Sequence, residues 1–341
     1  MNIYFTGEDS QVVNRSKYLR GGLLKNGHEV RKKVPADPAE EGIWFHGISR
    51  DDTKLLPEAF VSLMGNFRGR LVFFRNDDGI DFALDKIPGH LAARASLFLR
   101  NHWPSDTSSI PVAIRGRTGF VNPLLRPIRS RAGKRLDLRP IPILFYGAGT
   151  GGGNLGAGRN CRVEALRMIR NASLPIRGGL IEQDGYPVPE DLLVSAIPQR
   201  EHNRLVLQSR ICLALWGNCV LTYRFFEGLA HRSLVLVPSL SGISFVHCGL
   251  VPQKHFVEVK ADLSDLVGKL GYYLSNLREA QQIADAGFEH FRKHFEFSGV
   301  DFPQPMLEEI LSSWCGLLAV DGRASIRSRI AKMILPFAKS V

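Results

Sequence analysis

Thr222 and Arg224 are the side chains of this sequence best placed to bind a phosphate group. They follow Gly217, which permits a tight turn after an apolar strand pattern, and they open a helical pattern that ends near residue 230. A threonine at a helix N-terminus can cap the helix and leave backbone N–H groups for an anion. An arginine can hold a phosphate through two parallel hydrogen bonds. Arg224 and Glu227 are also three residues apart on one helical face, so a salt bridge within the helix is the alternative interpretation.

A glycine-rich segment that begins at Gly147 is a second candidate phosphate site. Gly147-x-Gly149-x-x-Gly152 formally matches the dinucleotide fingerprint, in which glycines let the backbone approach a pyrophosphate at a helix N-terminus. The glycines continue to residue 158, whereas a dehydrogenase begins its helix almost at once. The nearest acidic partner, Glu182, lies about 30 residues further on, where the fingerprint expects about 20. These departures disfavour a dehydrogenase.

The same glycine-rich segment can still present backbone N–H groups to a phosphate. Arg159 or Arg162, at the start of the helix that follows, would supply positive charge beside it. A flexible connection that binds no ligand is the alternative.

Residues 209–230 resemble the donor-binding segment of exostosin-type glycosyltransferases. The likeness consists of a strand with a Cys212-Leu213 pair, a turn at Gly217, the hydroxyl of Thr222, the Arg224-x-x-Glu227 motif and a small apolar helix. This resemblance implies a GT-B-like fold in which Thr222 and Arg224 meet the nucleotide diphosphate and Glu227 accepts hydrogen bonds from the ribose. The strand and helices of residues 256–287 are similar to the end of CgeB-like glycosyltransferases. The resemblance extends over roughly residues 141–297.

The catalytic residues are harder to identify from the sequence. In GT-B enzymes the acceptor lies on the first domain, so an inverting reaction would need a general base from that half of the chain. Asp77 and Asp78, just after a predicted strand at residues 71–74, are the leading candidates, although an Asp-Asp-Gly sequence equally suits a plain turn. The candidates behind them are Glu8, His46 and His102.

We expect neither a metal ion nor another cofactor. No Asp-x-Asp stands at the end of an apolar strand, and the histidines are too dispersed for a ligand set. Asp77-Asp78-x-x-Asp81 could at most bind a cation weakly. Positive groups or helix dipoles would instead stabilise the leaving diphosphate.

The elements that must position these residues form two alternating α/β patterns. Apolar strand patterns at residues 2–5, 43–45, 71–74 and 95–99, with a strand opening at Val30 and a helix at residues 18–26, predict one parallel sheet. A second series begins with a strand at residues 141–146. It continues with strands at 210–215, 234–237 and 256–259, and with helices after residue 160, at 222–230 and at 263–274. The fold class is therefore α/β, with two Rossmann-like domains that the resemblance places on either side of an interdomain cleft.

The length and charge of the chain agree with two domains. It has 341 residues, 44 Lys and Arg, and 33 Asp and Glu, for a formal net charge of +11. Residues 115–139 contribute eight basic side chains against Asp137 alone, and we place the boundary there. The predicted domains are an acceptor-binding domain at 1–138, a nucleotide-sugar-binding domain at 139–299 and C-terminal helices at 300–341. The basic segment is either a solvated linker or a site for a phosphate-bearing ligand.

Compartment signals favour the cytoplasm. Five scattered cysteines without a C-x-x-C pair suggest a reducing environment, and the N-terminus lacks the pattern of a signal peptide. The most apolar window, residues 234–252, is too interrupted to span a bilayer. A basic amphipathic pattern at 323–341 would either rest on the inner face of an anionic membrane or pack on the first domain.

The predicted function follows from the resemblance. It implies a glycosyltransferase that moves a sugar from a nucleotide-sugar to a glycan or lipid-linked acceptor in surface polysaccharide synthesis. A non-catalytic nucleotide-binding protein of the same fold is the alternative. A nucleic-acid-binding protein is disfavoured, because the sequence has no recognised module or repeat that alternates aromatic and basic residues.

Overall fold

A computed structural model describes most of the chain. The described residues are 2–7, 29–31, 33–48, 58–75, 84–121, 123–124, 127–149, 160–183, 187–217, 221–297 and 303–314. The predicted helix at 18–26 and the basic tail at 323–341 lie outside them.

The strands follow one another in a regular α/β order. They are β1 (Asn2–Gly7), β2 (Glu29–Arg31), β3 (Ile43–Gly47), β4 (Arg70–Arg75), β5 (Leu97–Arg100), β6 (His102–Pro104), β7 (Thr118–Phe120), β8 (Ile141–Ala148), β9 (Ile176–Ile181), β10 (Ser209–Leu213), β11 (Leu234–Pro238), β12 (Ile243–Phe245) and β13 (Val257–Val259). The helices are α1 (Glu58–Asn66), α2 (Gly89–Arg94), α3 (Cys161–Asn171), α4 (Gln199–Leu207), α5 (Tyr223–Ala230), α6 (Leu266–Ser275), α7 (Leu277–His294) and α8 (Gln304–Ser313).

The chain divides into two compact units. The first consists of Met1–Arg126, Ser244–Cys248 and Ser298–Val341, and the second of Pro127–Ile243 and Gly249–Phe297. Residues 244–248 belong to the first unit although they interrupt the second. The backbone N–H groups of His247 and Cys248 donate to the carboxylate of Glu309, also in the first unit, at 2.9 and 2.5 Å.

A six-stranded parallel sheet forms the first unit, in the order β2-β1-β3-β4-β5-β7. Its central strands are buried except at Arg70, as expected for a parallel sheet that is covered on both faces. The last described helix, α8, belongs to this unit. Ser313 Oγ accepts a hydrogen bond from Phe120 N at 3.0 Å, and Trp314 Nε1 donates to Phe120 O at 2.9 Å.

A five-stranded parallel sheet forms the second unit, in the order β13-β11-β10-β8-β9. Helix α3 begins at Asn160, whose side chain accepts hydrogen bonds from two backbone N–H groups of the first turn. Its apolar side packs on one face of the sheet, with Leu166 and Ile169 in the core as the sequence pattern predicts. A smaller core on the other face holds Leu205 and Val206 of α4. The predicted α/β class with parallel sheets is confirmed.

Residues 127–138, which the sequence pattern places in the first domain, lie in the second unit. The reason is that this segment forms hydrogen bonds with helices of the second unit. Arg131 N donates to Ala230 O at 2.9 Å, and Leu136 N donates to the Gln281 side chain at 2.7 Å. The predicted domain limits therefore differ from this division, while the functions given to each domain stay predictions.

Buried Arg139 shows what one end of the basic segment does. Its guanidinium donates to the carbonyls of Lys134, Ser209 and Arg232 at 2.7 to 2.8 Å. It also donates to Ser233 Oγ at 2.9 Å and to His231 O at 3.3 Å. Arg139 thus holds the segment against the second sheet, and burial lowers the pKa of its guanidinium to about 10.

Candidate functional site

The carboxyl ends of β8 and β10 form the natural ligand-binding edge of the second sheet. The chain passes from β8 to β9 on one side and then to β10 on the other, so the strand order reverses between β8 and β10. Open parallel sheets bind ligands in the crevice that such a reversal creates. Helix α5, which follows β10, carries the predicted donor-binding residues to this edge.

Thr222 is the N-cap residue of α5, as the sequence predicts, but its hydroxyl does not cap the helix. The Thr222 Oγ1 atom is buried and has no hydrogen-bond partner among the described residues. A buried hydroxyl without a partner costs free energy unless something else bonds to it. The Thr222 hydroxyl can therefore bond to a ligand.

Arg224 lies at the same edge and contacts both β8 and its own helix. Its Nε donates to the backbone oxygen of Tyr146. One terminal nitrogen lies 3.5 Å from Glu227 Oε2, which is the helical salt bridge of the alternative interpretation. Because 29% of the side chain is exposed, the guanidinium can also meet a ligand from solvent.

Glu227 is almost fully buried, with 2% of the residue exposed. Its Oε1 accepts a hydrogen bond from Gln199 Nε2 at 3.0 Å, and its Oε2 lies 3.7 Å from His202 Nδ1. Both partners come from α4. The glutamate is thus held from two helices, and its predicted contact with a ribose stays a prediction.

Gln199 and His202 are site residues that the sequence analysis missed. They lie three positions apart at the start of α4, on the side of the helix that buries Leu205 and Val206. The sequence shows only a histidine on an amphipathic helical pattern. Its position beside Glu227 depends on how α4 packs against α5, which the sequence pattern does not specify.

A small pocket lies beside these groups. Its cavity volume is about 10 Å³, and it is lined by β8, β10, α4 and α5 through Leu144, Phe145, Tyr146, His202, Val206, Cys212, Leu213, Arg224, Glu227 and Gly228. A cavity of this size has room for about one water molecule. Burial raises the pKa of the lining Cys212 thiol to about 11, which keeps it protonated and unreactive near neutral pH.

Gly217 and Arg162 form one local structure. A Cβ atom at Gly217 would lie 2.4 Å from a terminal nitrogen of Arg162. The backbone of Gly217 is not in the left-handed region, so the expected turn conformation is not what requires glycine. Arg162 is buried, donates to Ala148 O at 2.6 Å and lies over the Phe145 ring. The glycine makes room for this guanidinium.

The glycine-rich segment is described only up to Gly149. Gly147 lies within β8, and Gly149 N donates to Ile181 O at 2.9 Å, which extends the pairing with β9. The side chain of Asn160 occupies the first free N–H groups of α3, those of Arg162 and Val163. Arg159 and residues 150–158 lie outside the described residues, so a phosphate site there stays a prediction.

The predicted base candidates belong to the first unit. Asp77, Asp78 and Glu8 lie outside the described residues. His102 Nδ1 is 2.8 Å from Asn101 Oδ1. Burial lowers the pKa of His46 to about 4, so its imidazole is neutral near pH 7 and too weakly basic in this environment for efficient proton abstraction.

No group of three or more His, Cys, Asp or Glu side chains in the described part of the chain could hold a metal ion. Among the described helices, none is long and apolar enough to cross a membrane.

Part of the second unit is similar to a known protein family. Residues 162–299, which include α3, α4, α5 and the site residues on them, match the family model described as glycosyl transferase-like. No curated protein matches the sequence.

Solved structures show the same fold at low sequence identity. Sucrose-phosphate synthase from Thermosynechococcus elongatus is 11% identical, with a TM-score of 0.51, over 94% of this chain and 100% of that one. HepE from Anabaena, in complex with UDP, is 12% identical, with a TM-score of 0.50, over 92% and 100% of the two chains. These structures confirm the predicted GT-B-like fold, and residues 162–299 match the kind of family model that the predicted glycosyltransferase class expects. The exostosin-like or CgeB-like subtype stays a prediction.

Proposed function

We propose that this glycosyltransferase takes a sugar from a nucleoside diphosphate donor and transfers it to a glycan or lipid-linked acceptor in surface polysaccharide synthesis. The observation that carries the proposal is the start of α5, at the point of strand reversal. There the buried Thr222 hydroxyl has no partner among the described residues, and Arg224 is partly exposed. Helix N-termini and arginines are the groups that hold diphosphates in proteins. UDP is the first nucleotide to test, because HepE shares the fold and was solved with UDP.

In this proposal Thr222 and Arg224 contact the diphosphate, and Glu227 contacts the ribose. Gly217 and Arg162 shape the neighbouring strand end. The positive charge of Arg224 and the N–H groups of α5 would stabilise the leaving diphosphate as its charge develops, without a metal ion. Transfer that persists in excess EDTA would support this part of the proposal, and its loss would contradict it.

The proposal predicts that Thr222→Val weakens UDP binding without destabilising the fold. The valine keeps the shape of threonine and removes a hydroxyl that bonds to no described residue. We expect UDP affinity to fall roughly ten- to a hundredfold, the effect of one hydrogen bond to a charged group, as measured by calorimetry. The melting temperature without ligand should not decrease.

Thr118→Val, in β7 of the first unit, is the matched control and should leave UDP affinity unchanged. Wild-type affinity in Thr222→Val would contradict the assignment of the site.

Release of UDP from UDP-sugars separates the two candidate functions. Binding of UDP without turnover of any UDP-sugar would favour the non-catalytic alternative.

A further inference from the structure

The carboxyl edge of the first sheet concentrates buried polar groups. Among the described residues of the first unit, all buried polar or charged side chains lie there: Thr6, His46, Arg75, Arg100, Asn101 and His102. Apart from Asn2 and Arg70 at their amino ends, the rest of the same strands is apolar or glycine. Burying polar groups costs free energy, so their collection at one edge indicates a function other than stability.

Four of these side chains lie on one face of the sheet, near its carboxyl edge. Thr6 pairs with His46, His46 pairs with Phe73, and Arg75 pairs with Arg100 in the parallel register. Paired residues of neighbouring strands project to the same face, and residues two apart on one strand do so too. Thr6, His46, Arg75 and Arg100 therefore lie on one face near the carboxyl edge, with the two arginines two residues further along than Thr6 and His46. We call these four side chains the polar row.

The polar row includes the point where the strand order of this sheet reverses. The chain runs from β1 to β2 on one side and then to β3 on the other, so Thr6 and His46 flank the reversal. Thr6 Oγ1 accepts a hydrogen bond from Trp44 Nε1 at 2.7 Å and shares one with His46 Nδ1 at 2.8 Å. His46 is 2% exposed, and its Nε2 has no hydrogen-bond partner among the described residues.

The charge of the polar row comes from two adjacent arginines. Arg75 is 5% exposed and Arg100 is 1% exposed. The Arg100 guanidinium lies 5.5 Å from the centre of the Trp103 ring, which helps to fix its position. Two neighbouring guanidinium groups at a ligand-binding edge favour a ligand with negatively charged oxygens.

We propose that the polar row binds an acceptor that carries an anionic group, a phosphate or a carboxylate, close to the sugar hydroxyl that receives the transferred sugar. Arg75 and Arg100 bind the anionic group, and the unpartnered Nε2 of His46 bonds to a neutral hydroxyl of the same molecule. This inference rests on the proposed glycosyl transfer and adds the chemical class of the acceptor.

The test compares the two ends of strand β4. Arg75→Gln removes a charge at the carboxyl end, and Arg70→Gln removes one at the amino end of the same strand. Binding of glucose 6-phosphate, glucuronate and neutral glucose is measured by calorimetry in the presence of saturating UDP, which occupies the donor phosphate site.

We expect wild-type protein to bind at least one of the two anionic sugars about tenfold more tightly than glucose. Arg75→Gln should abolish this preference, and Arg70→Gln should keep it. The two anionic probes distinguish a phosphate-bearing acceptor from a carboxylate-bearing one. Arg75→Lys, which retains the charge without the paired donors, should keep part of the preference.

Equal wild-type binding of the three sugars would overturn the inference whether or not the variants fold. So would an unchanged preference in Arg75→Gln. Tryptophan fluorescence is measured on each variant to show that the first unit is folded, since Trp44, Trp103 and Trp314 belong to that unit. Failure of the proposed function would appear differently, as absent UDP binding in the wild type.

Discussion

At the residue scale, Gly217 and Arg162 show how a site residue can be identified for the wrong reason. The sequence marks Gly217 as the glycine of a tight turn, and the structure shows that it provides space for a buried guanidinium. A turn depends on local sequence, whereas this space depends on a side chain 55 positions away. Spacing along the chain could not reveal the pair.

Gly217→Ala should therefore destabilise the protein by less than about 1 kcal/mol, because the new methyl group meets only the flexible end of Arg162, which must shift and weaken its hydrogen bond to Ala148 O. Urea unfolding measures the change. Gly268→Ala, on helix α6 with open space around its Cα, is the control and should be neutral or slightly stabilising. In an Arg162→Met background the cost of Gly217→Ala should decrease, and an unchanged cost would refute the clash.

At the scale of elements, strands were easier to predict than the contacts between helices. Buried parallel strands are continuous apolar runs, so β3, β4, β8 and β11 are evident in the sequence. Strand β9 was not predicted from the sequence, because Gly178 and Gly179 interrupt its apolar pattern. Helix α5 was predicted, but the position of Gln199 and His202 beside Glu227 follows from the packing of α4, which no local pattern specifies.

Arg139 illustrates the same limit for the basic segment. Its charge suggested a linker or a phosphate site, while its hydrogen bonds join the segment to β10 and to the loop after α5. Arg139→Ala should destabilise the second unit by about 3 kcal/mol, since several buried carbonyls lose their donor. Lysine should not rescue it, because an ammonium lacks the planar fork of donors.

Arg135→Ala is the matched control for this substitution. Arg135 lies four residues earlier and pairs with Asp137 at the surface, so its removal should cost less than about 0.5 kcal/mol. Denaturant unfolding of both variants gives the comparison. If the two arginines proved equally dispensable, the anchoring role of Arg139 would be wrong.

At the scale of the whole molecule, both units bury histidines whose pKa is lowered. Burial is the main cause for His46 in the first unit and for His231 and His255 in the second. Nearby arginines add to the effect at His231, and Lys254 and His294 add to it at His255. An unfolded histidine titrates near pH 6.5, so below that pH the unfolded chain binds more protons than the folded one. Stability should therefore decrease as the pH falls from about 6.5 towards the folded pKa of each group.

His46 provides the sharpest case, because its pKa falls from 6.5 to about 4. The linkage predicts that this residue alone removes about 2 kcal/mol of stability between pH 7 and pH 5. His46→Gln should lessen the pH dependence of urea unfolding by that amount, whereas His90→Gln, at an exposed position on α2, should not. Tryptophan fluorescence reports chiefly on the first unit, which contains Trp44, Trp103 and Trp314. Parallel pH profiles for the wild type and His46→Gln would show that burial of His46 does not make the first unit sensitive to acid.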